Sequence, residues 1–115
     1  MNKITYRNPK QERINFCETV KVKRPNVTKW FYQKSNVSKP WALAIVREYD
    51  KTTIILYHEQ LRRGYVQFSS LYFDTPLNVV CFVKSIVNAH YALGYEISMN
   101  GADVAQLYAD LYGVF

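Results

Sequence analysis

Hydrophobic and polar positions change period several times along the 115 residues. From Ile14 to Lys23 they alternate, with Ile14, Phe16, Val20 and Val22 on one side and Asn15, Thr19, Lys21 and Lys23 on the other. That pattern predicts a half-buried strand with a basic outer face, ended by the turn residues Arg24-Pro25-Asn26. Strong β-formers fill TKWFYQK, residues 28–34, and predict a second strand. Strict alternation there sets Trp30, Tyr32 and Lys34 on one face and Lys29, Phe31 and Gln33 on the other. After a polar loop, Trp41–Tyr49 is nearly continuous apolar material up to Arg47, as a central strand covered on both faces requires. Thr52–Glu59 returns across the Asp50-Lys51 turn as its hairpin partner. Gln60–Gly64 turns the chain again, with Gly64 supplying a positive φ, and Tyr65–Phe73 alternates weakly as a further strand.

The period then becomes helical. In TPLNVVCFVKSIVNAHYALG, Thr75 stands at an N-cap position, Pro76 at the first helical position and Gly94 at the left-handed position beyond the end. On a wheel of 3.6 residues per turn, Phe82, Ala89, Leu93, Ile86, Val79, His90, Val83, Val87 and Val80 share one half. Asn78, Ser85, Asn88, Lys84, Cys81 and Leu77 occupy the other. An apolar arc this wide fits a sheet better than a narrow helix–helix seam. Beyond it, Tyr95, Ile97 and Met99 alternate as a short strand would. Val104, Leu107, Tyr108 and Leu111 recur at helical spacing within Ala102–Tyr112, and Gly113 closes that helix.

Short connections between sequential strands imply an antiparallel meander, and a helix arriving afterwards packs across one face. The expected fold is therefore α+β: a meander sheet of four to five strands covered on one face by a helix at 76–93, with a short C-terminal helix. A small OB-like β-barrel with an appended helix is the alternative. The polar, basic residues 1–13 form an N-terminal arm and 14–115 a single domain, as the length allows. Over residues 14–94 the element order resembles the architecture of small dimeric single-strand-binding coactivator domains, at the level of fold alone.

Charge adds direction to this picture. Net charge is +6, but residues 1–46 hold ten Lys or Arg against Glu12 and Glu18, whereas 47–115 hold five basic residues against seven acidic ones. A one-sided positive field suits a polyanion. Catalysis is not expected. The sequence has no glycine-rich phosphate loop, since its four glycines (64, 94, 101 and 113) are spread as turn and cap residues. His58-Glu59 lacks the second histidine of a zinc helix, and His90 falls in the apolar arc as a hydrogen-bonded core residue. Cys17 and Cys81, each in an apolar pattern, are expected to be reduced core thiols without metal spacing. Neither a metal nor a cofactor is expected. MNKITYRNPK has no apolar signal core and no run of about 18 apolar residues occurs, so the expectation is a cytoplasmic protein with no membrane partner and with its sequons at Asn26 and Asn36 unused.

Basic and aromatic residues interleave in one region: Lys21, Lys23, Arg24, Lys29, Trp30, Tyr32, Lys34, Lys39 and Trp41. Single-stranded nucleic acid needs a cationic track for phosphates together with rings on which bases stack. The expected function is single-stranded DNA or RNA binding without sequence readout. Phosphates would be held by Lys21, Lys23, Arg24, Lys29 and Lys34, and bases by Trp30, Tyr32 and Trp41, with Arg62 and Arg63 extending the track. The competing expectation is a small phage-type protein that inhibits a host enzyme through a Tyr-rich interface, since ten tyrosines also suit protein contacts. A homodimer is expected in either case, with Leu77 and Cys81 on the helix's polar side.

Overall fold

Trp41–Glu48 is the strand beside which the others are laid. The computed structural model describes residues 29–34, 39–48, 51–113 and 115, with the backbone alone at 29–34 and 48. The elements are β1 (Lys29–Lys34), β2 (Trp41–Glu48), β3 (Lys51–His58), β4 (Tyr65–Ser70), α1 (Pro76–Ala92) and α2 (Gly101–Tyr112). The fold is α+β, with antiparallel strands in an open sheet of order β1-β2-β3-β4 and two helices. No ladder joins β1 to β4 among the described residues, so the barrel is not what they form. The expected strand at 14–23 and the arm at 1–13 lie outside the described residues.

Register follows the hydrophobic pattern. β2 pairs β3 without interruption, Trp41 with His58, Leu43 with Leu56 and Ile45 with Ile54. These residues form one face, and Val79, Val83, Ile86 and Val87 of α1 and Leu107 and Leu111 of α2 pack on it. Fully burying an aliphatic side chain of this size stabilises by roughly 1.5–3 kcal/mol. The residues between them, Ala42, Ala44, Ile55 and Tyr57, are also buried, in a separate cluster on the opposite face. β2 is thus covered on both faces, which is why its sequence shows no polar alternation before Arg47.

Helix α1 begins and ends where its local chemistry dictates. Thr75 Oγ1 accepts from the Asn78 N–H at 3.2 Å, with Pro76 following it. At the other end Gly94 has φ 93°, the Gly94 N–H donates to the Tyr91 carbonyl and the Tyr95 N–H to the His90 carbonyl, a complete Schellman motif. Asn100 and Asp103 close a reciprocal capping box at the start of α2, at 2.8 and 3.0 Å. The helix wheel holds for Val79, Val80, Val83, Ile86 and Val87, but Ala89 and Leu93 are exposed.

Other expectations are corrected. Tyr95–Met99 is irregular. Ile97 is buried and Tyr95 and Met99 are half-buried as the alternation required, but the segment lacks a ladder partner among the described residues. Cys81 is exposed rather than core, because it lies on the solvent side of α1 with Leu77 and Lys84. β1 carries a bulge between Trp30 and Tyr32. Trp30 stands opposite Ala44 and Tyr32 opposite Leu43, so the ladder does not hold these two positions in the common phase that strict alternation assigns them.

Candidate nucleic-acid interface

Antiparallel pairing decides which of the basic residues meet. Lys34 ends β1 opposite Trp41, the first residue of β2, and Trp41 in turn faces His58, the last residue of β3. Lys39 lies two residues before Trp41, across Pro40, and Arg62 and Arg63 lie in the turn that follows β3. The sheet therefore brings Lys34, Lys39, Arg62 and Arg63 to a single end, from two connections, β1–β2 and β3–β4, that are distant in sequence.

That end is rigidly built. The Leu61 N–H donates to the His58 carbonyl at 3.0 Å, the Gly64 N–H to the Leu61 carbonyl at 2.8 Å, and the His58 N–H to the Gly64 carbonyl at 3.0 Å. Gly64 closes the turn at φ 76°, where any Cβ would be strained. Leu61 packs against the helix-side core while Arg62 and Arg63 on either side of the same turn are exposed. One apolar anchor thus holds two guanidinium groups out toward solvent.

Beneath the turn lies His58, 0% exposed. Its Nδ1 accepts from the Gln60 N–H at 3.2 Å, which leaves the proton of the neutral ring on Nε2. Burial pushes its pKa below the ordinary 6.5, and the charges of Lys39 and His90 add to that, while Glu96 and the Lys39 backbone oppose it. The Tyr95 ring sits between the two histidines, edge-on to each, with centroids 5.8 Å from His58 and 5.4 Å from His90. His90 Nδ1 lies 2.8 Å from the Ile86 carbonyl, the hydrogen-bonded role expected of it. Both histidines are thus held by the fold around this end.

The aromatic half of the expected site is redistributed. Trp41 is 0% exposed and belongs to the helix-side core, so it presents no face to a base. As the first residue of a strand buried on both sides, it is inside whatever its neighbours' charge suggests. Sequence reasoning missed the tyrosines at this end: Tyr95 and Tyr65 are half-buried, and Tyr91, next to His90, is 64% exposed. The signal available was the Gly94 cap, which turns the chain so that the residues on either side of it meet the end of β3.

The remaining expected residues divide in two. Lys29 stands opposite Ile45 and Trp30 opposite Ala44, toward the middle of β2 and away from the cationic end. Tyr32 is two ladder positions from Lys34, opposite Leu43. Lys21, Lys23 and Arg24 lie outside the described residues. At the far end of the sheet Arg47 is engaged otherwise: its Nη1 donates to Thr52 Oγ1 at 2.9 Å and its guanidinium covers the Phe115 ring at 4.2 Å. No helix among the described residues is long and apolar enough to cross a membrane. Comparison with family models, curated proteins and solved structures finds no match to this chain.

Proposed function

We propose that this chain binds single-stranded nucleic acid, DNA in the first instance, through the cationic end of its sheet. The observation that carries the reading is the convergence of Lys34, Lys39, Arg62 and Arg63 at one end, in a chain whose first 46 residues already hold ten basic groups against two acidic ones. Phosphates are held by these cations as point contacts, and bases stack on Tyr91, Tyr95 and Tyr65 without readout of their edges, each stack contributing about 1–3 kcal/mol. Lys21, Lys23, Arg24 and Lys29 lengthen the track.

A protein-inhibitor role is less well supported, because the most exposed tyrosines do not converge. Tyr72 follows β4, Tyr91 lies near the end of α1, and Tyr112 ends α2 beside Tyr108. The test is anisotropy of a labelled single-stranded oligonucleotide titrated at two salt concentrations. Affinity is expected to fall steeply with salt, by about 0.7 logarithmic units per phosphate contact for each tenfold increase. Arg62→Ala/Arg63→Ala, exposed and outside the core, lowers that slope by roughly 1 to 2 units while leaving the melting temperature in place. Absence of binding at low salt, or binding indifferent to salt, rejects the reading.

A further inference from the structure

β4 ends the described sheet, pairing only with β3 in an unbroken register from Thr52–Ser70 to Tyr57–Tyr65. Natural edge strands are blunted by lysine, proline or a bulge so that they do not recruit another strand. This one has none of the three: residues 65–73, YVQFSSLYF, hold neither charge nor proline. Next to it the chain turns outward. The Tyr72 N–H donates to Ser70 Oγ at 3.1 Å and the Phe73 N–H to the Ser70 carbonyl at 3.3 Å, leaving Leu71 and Tyr72 87% and 81% exposed. Beside these two protruding side chains is a recess of about 540 Å³, floored by Phe68, Phe73 and Phe82 and bordered by Gln67 and Ser69. The three rings pack on one another at 4.6 and 5.1 Å between centroids.

The geometry points to this edge as a dimer interface, occupied by a second copy of the chain through antiparallel β4–β4 pairing. The patch carries both a projection and a recess, which is what a two-fold interface needs, since each copy must supply both. An axis through a Ser70–Ser70 pair sets Tyr72 of one copy opposite Phe68 of the other and Leu71 opposite Ser69, so that the Tyr72 protrusion of each copy meets the other's recess. Charge does not oppose this occupant at the contact itself. Two copies of a chain of net charge +6 repel, and an uncharged edge is where they can meet. The Arg62-Arg63 turn lies at the far end of β4, roughly 20 Å from such an axis at about 3.4 Å per residue. The two cationic ends are then about 40 Å apart, several Debye lengths at physiological salt.

Sedimentation equilibrium of the full chain over micromolar to millimolar concentration tests this. The unmodified protein is expected to be dimeric at the upper end. Leu71→Lys/Tyr72→Lys, at two exposed positions, is expected to weaken association by roughly a hundredfold or more with an unchanged melting curve. Gln67→Lys, also exposed, reaches the same result from the opposing side. Tyr91→Lys/Leu93→Lys alters an equally exposed apolar pair away from β4 and is expected to remain dimeric. A monomer at every concentration overturns the proposal, including the case in which the edge takes up an extended segment of a different protein. A dimer that survives both β4-edge variants overturns it as well.

Discussion

Among single residues His58 is the one whose surroundings make a claim about pH. Folding removes it from water, so its conjugate acid is disfavoured and its pKa lies below the ordinary 6.5. Below that value the unfolded chain binds a proton that the folded chain refuses. Stability from this group is therefore complete above about pH 6.5 and is lost as pH falls toward the lowered pKa. The melting temperature is expected to drop between about pH 7.5 and 5.5, and His58→Leu to flatten that drop. A variant with the same slope as the parent would show that the proton goes elsewhere. Trp41 and Cys81 mark what single positions hide. Both sit in apolar runs. The first is buried because β2 has neighbours on both edges and both faces, and the second is exposed because α1 turns one side to water. The first outcome is not encoded within a few residues of the position, whereas the helix wheel already set Cys81 beside Asn78, Lys84, Ser85 and Asn88.

At the scale of elements, what is set by local chemistry was legible in the sequence and what depends on a distant partner was not. Thr75, Pro76 and Gly94 fix α1 through bonds that close within five residues, so its limits follow directly from its ends. The Trp41–His58 hairpin reads just as plainly, because both strands carry long apolar runs, WALAIV and IILY, and the turn between them is short. The bulge in β1 is different: it is a mismatch between two strands, visible only once Trp30 and Tyr32 are set against Ala44 and Leu43. Tyr95–Met99 has the burial pattern of a strand but not the ladder, and alternation alone cannot tell these apart. The cationic end was half legible: Arg62 and Arg63 stood out as an extension of the track, but their meeting with Lys39 is a product of sheet order. The caps yield a test in which one substitution has two signs. A Cβ added at Gly94 meets nothing within 4 Å, but φ there is 93°, so Gly94→Ala is expected to cost about 1–2 kcal/mol from backbone strain alone. At Gly101, the first residue of α2, the space is equally open and φ lies outside the strained range. Gly101→Ala is therefore expected to stabilise by about 0.4–1 kcal/mol. Urea denaturation of the two variants checks both signs, and equal shifts would refute the backbone account.

For the molecule as a whole, the exposed Arg62 and Arg63 stand at the His58 end of the sheet, and the aromatic recess beside the β4 edge lies toward the Thr52 end. A polyanion bound as proposed and a second copy docked as proposed would use different surfaces, and that dimer would offer two anion-binding ends to one long strand. Such a pair gains through local concentration, the second contact being made by a site already tethered nearby. The double burial of β2 has a consequence of another kind. A backbone amide can trade its hydrogen for deuterium only when its own bond opens to water, and around Leu43, Ala44 and Ile45 no partial opening achieves this: a ladder flanks the strand on each side and side chains cover it above and below. These amides are expected to exchange last, at a rate set by complete unfolding, well after those of the exposed turn at Arg62 and Arg63. Their protection measured by mass spectrometry would equal the stability measured by denaturant, which would make the centre of this strand a gauge of the whole fold.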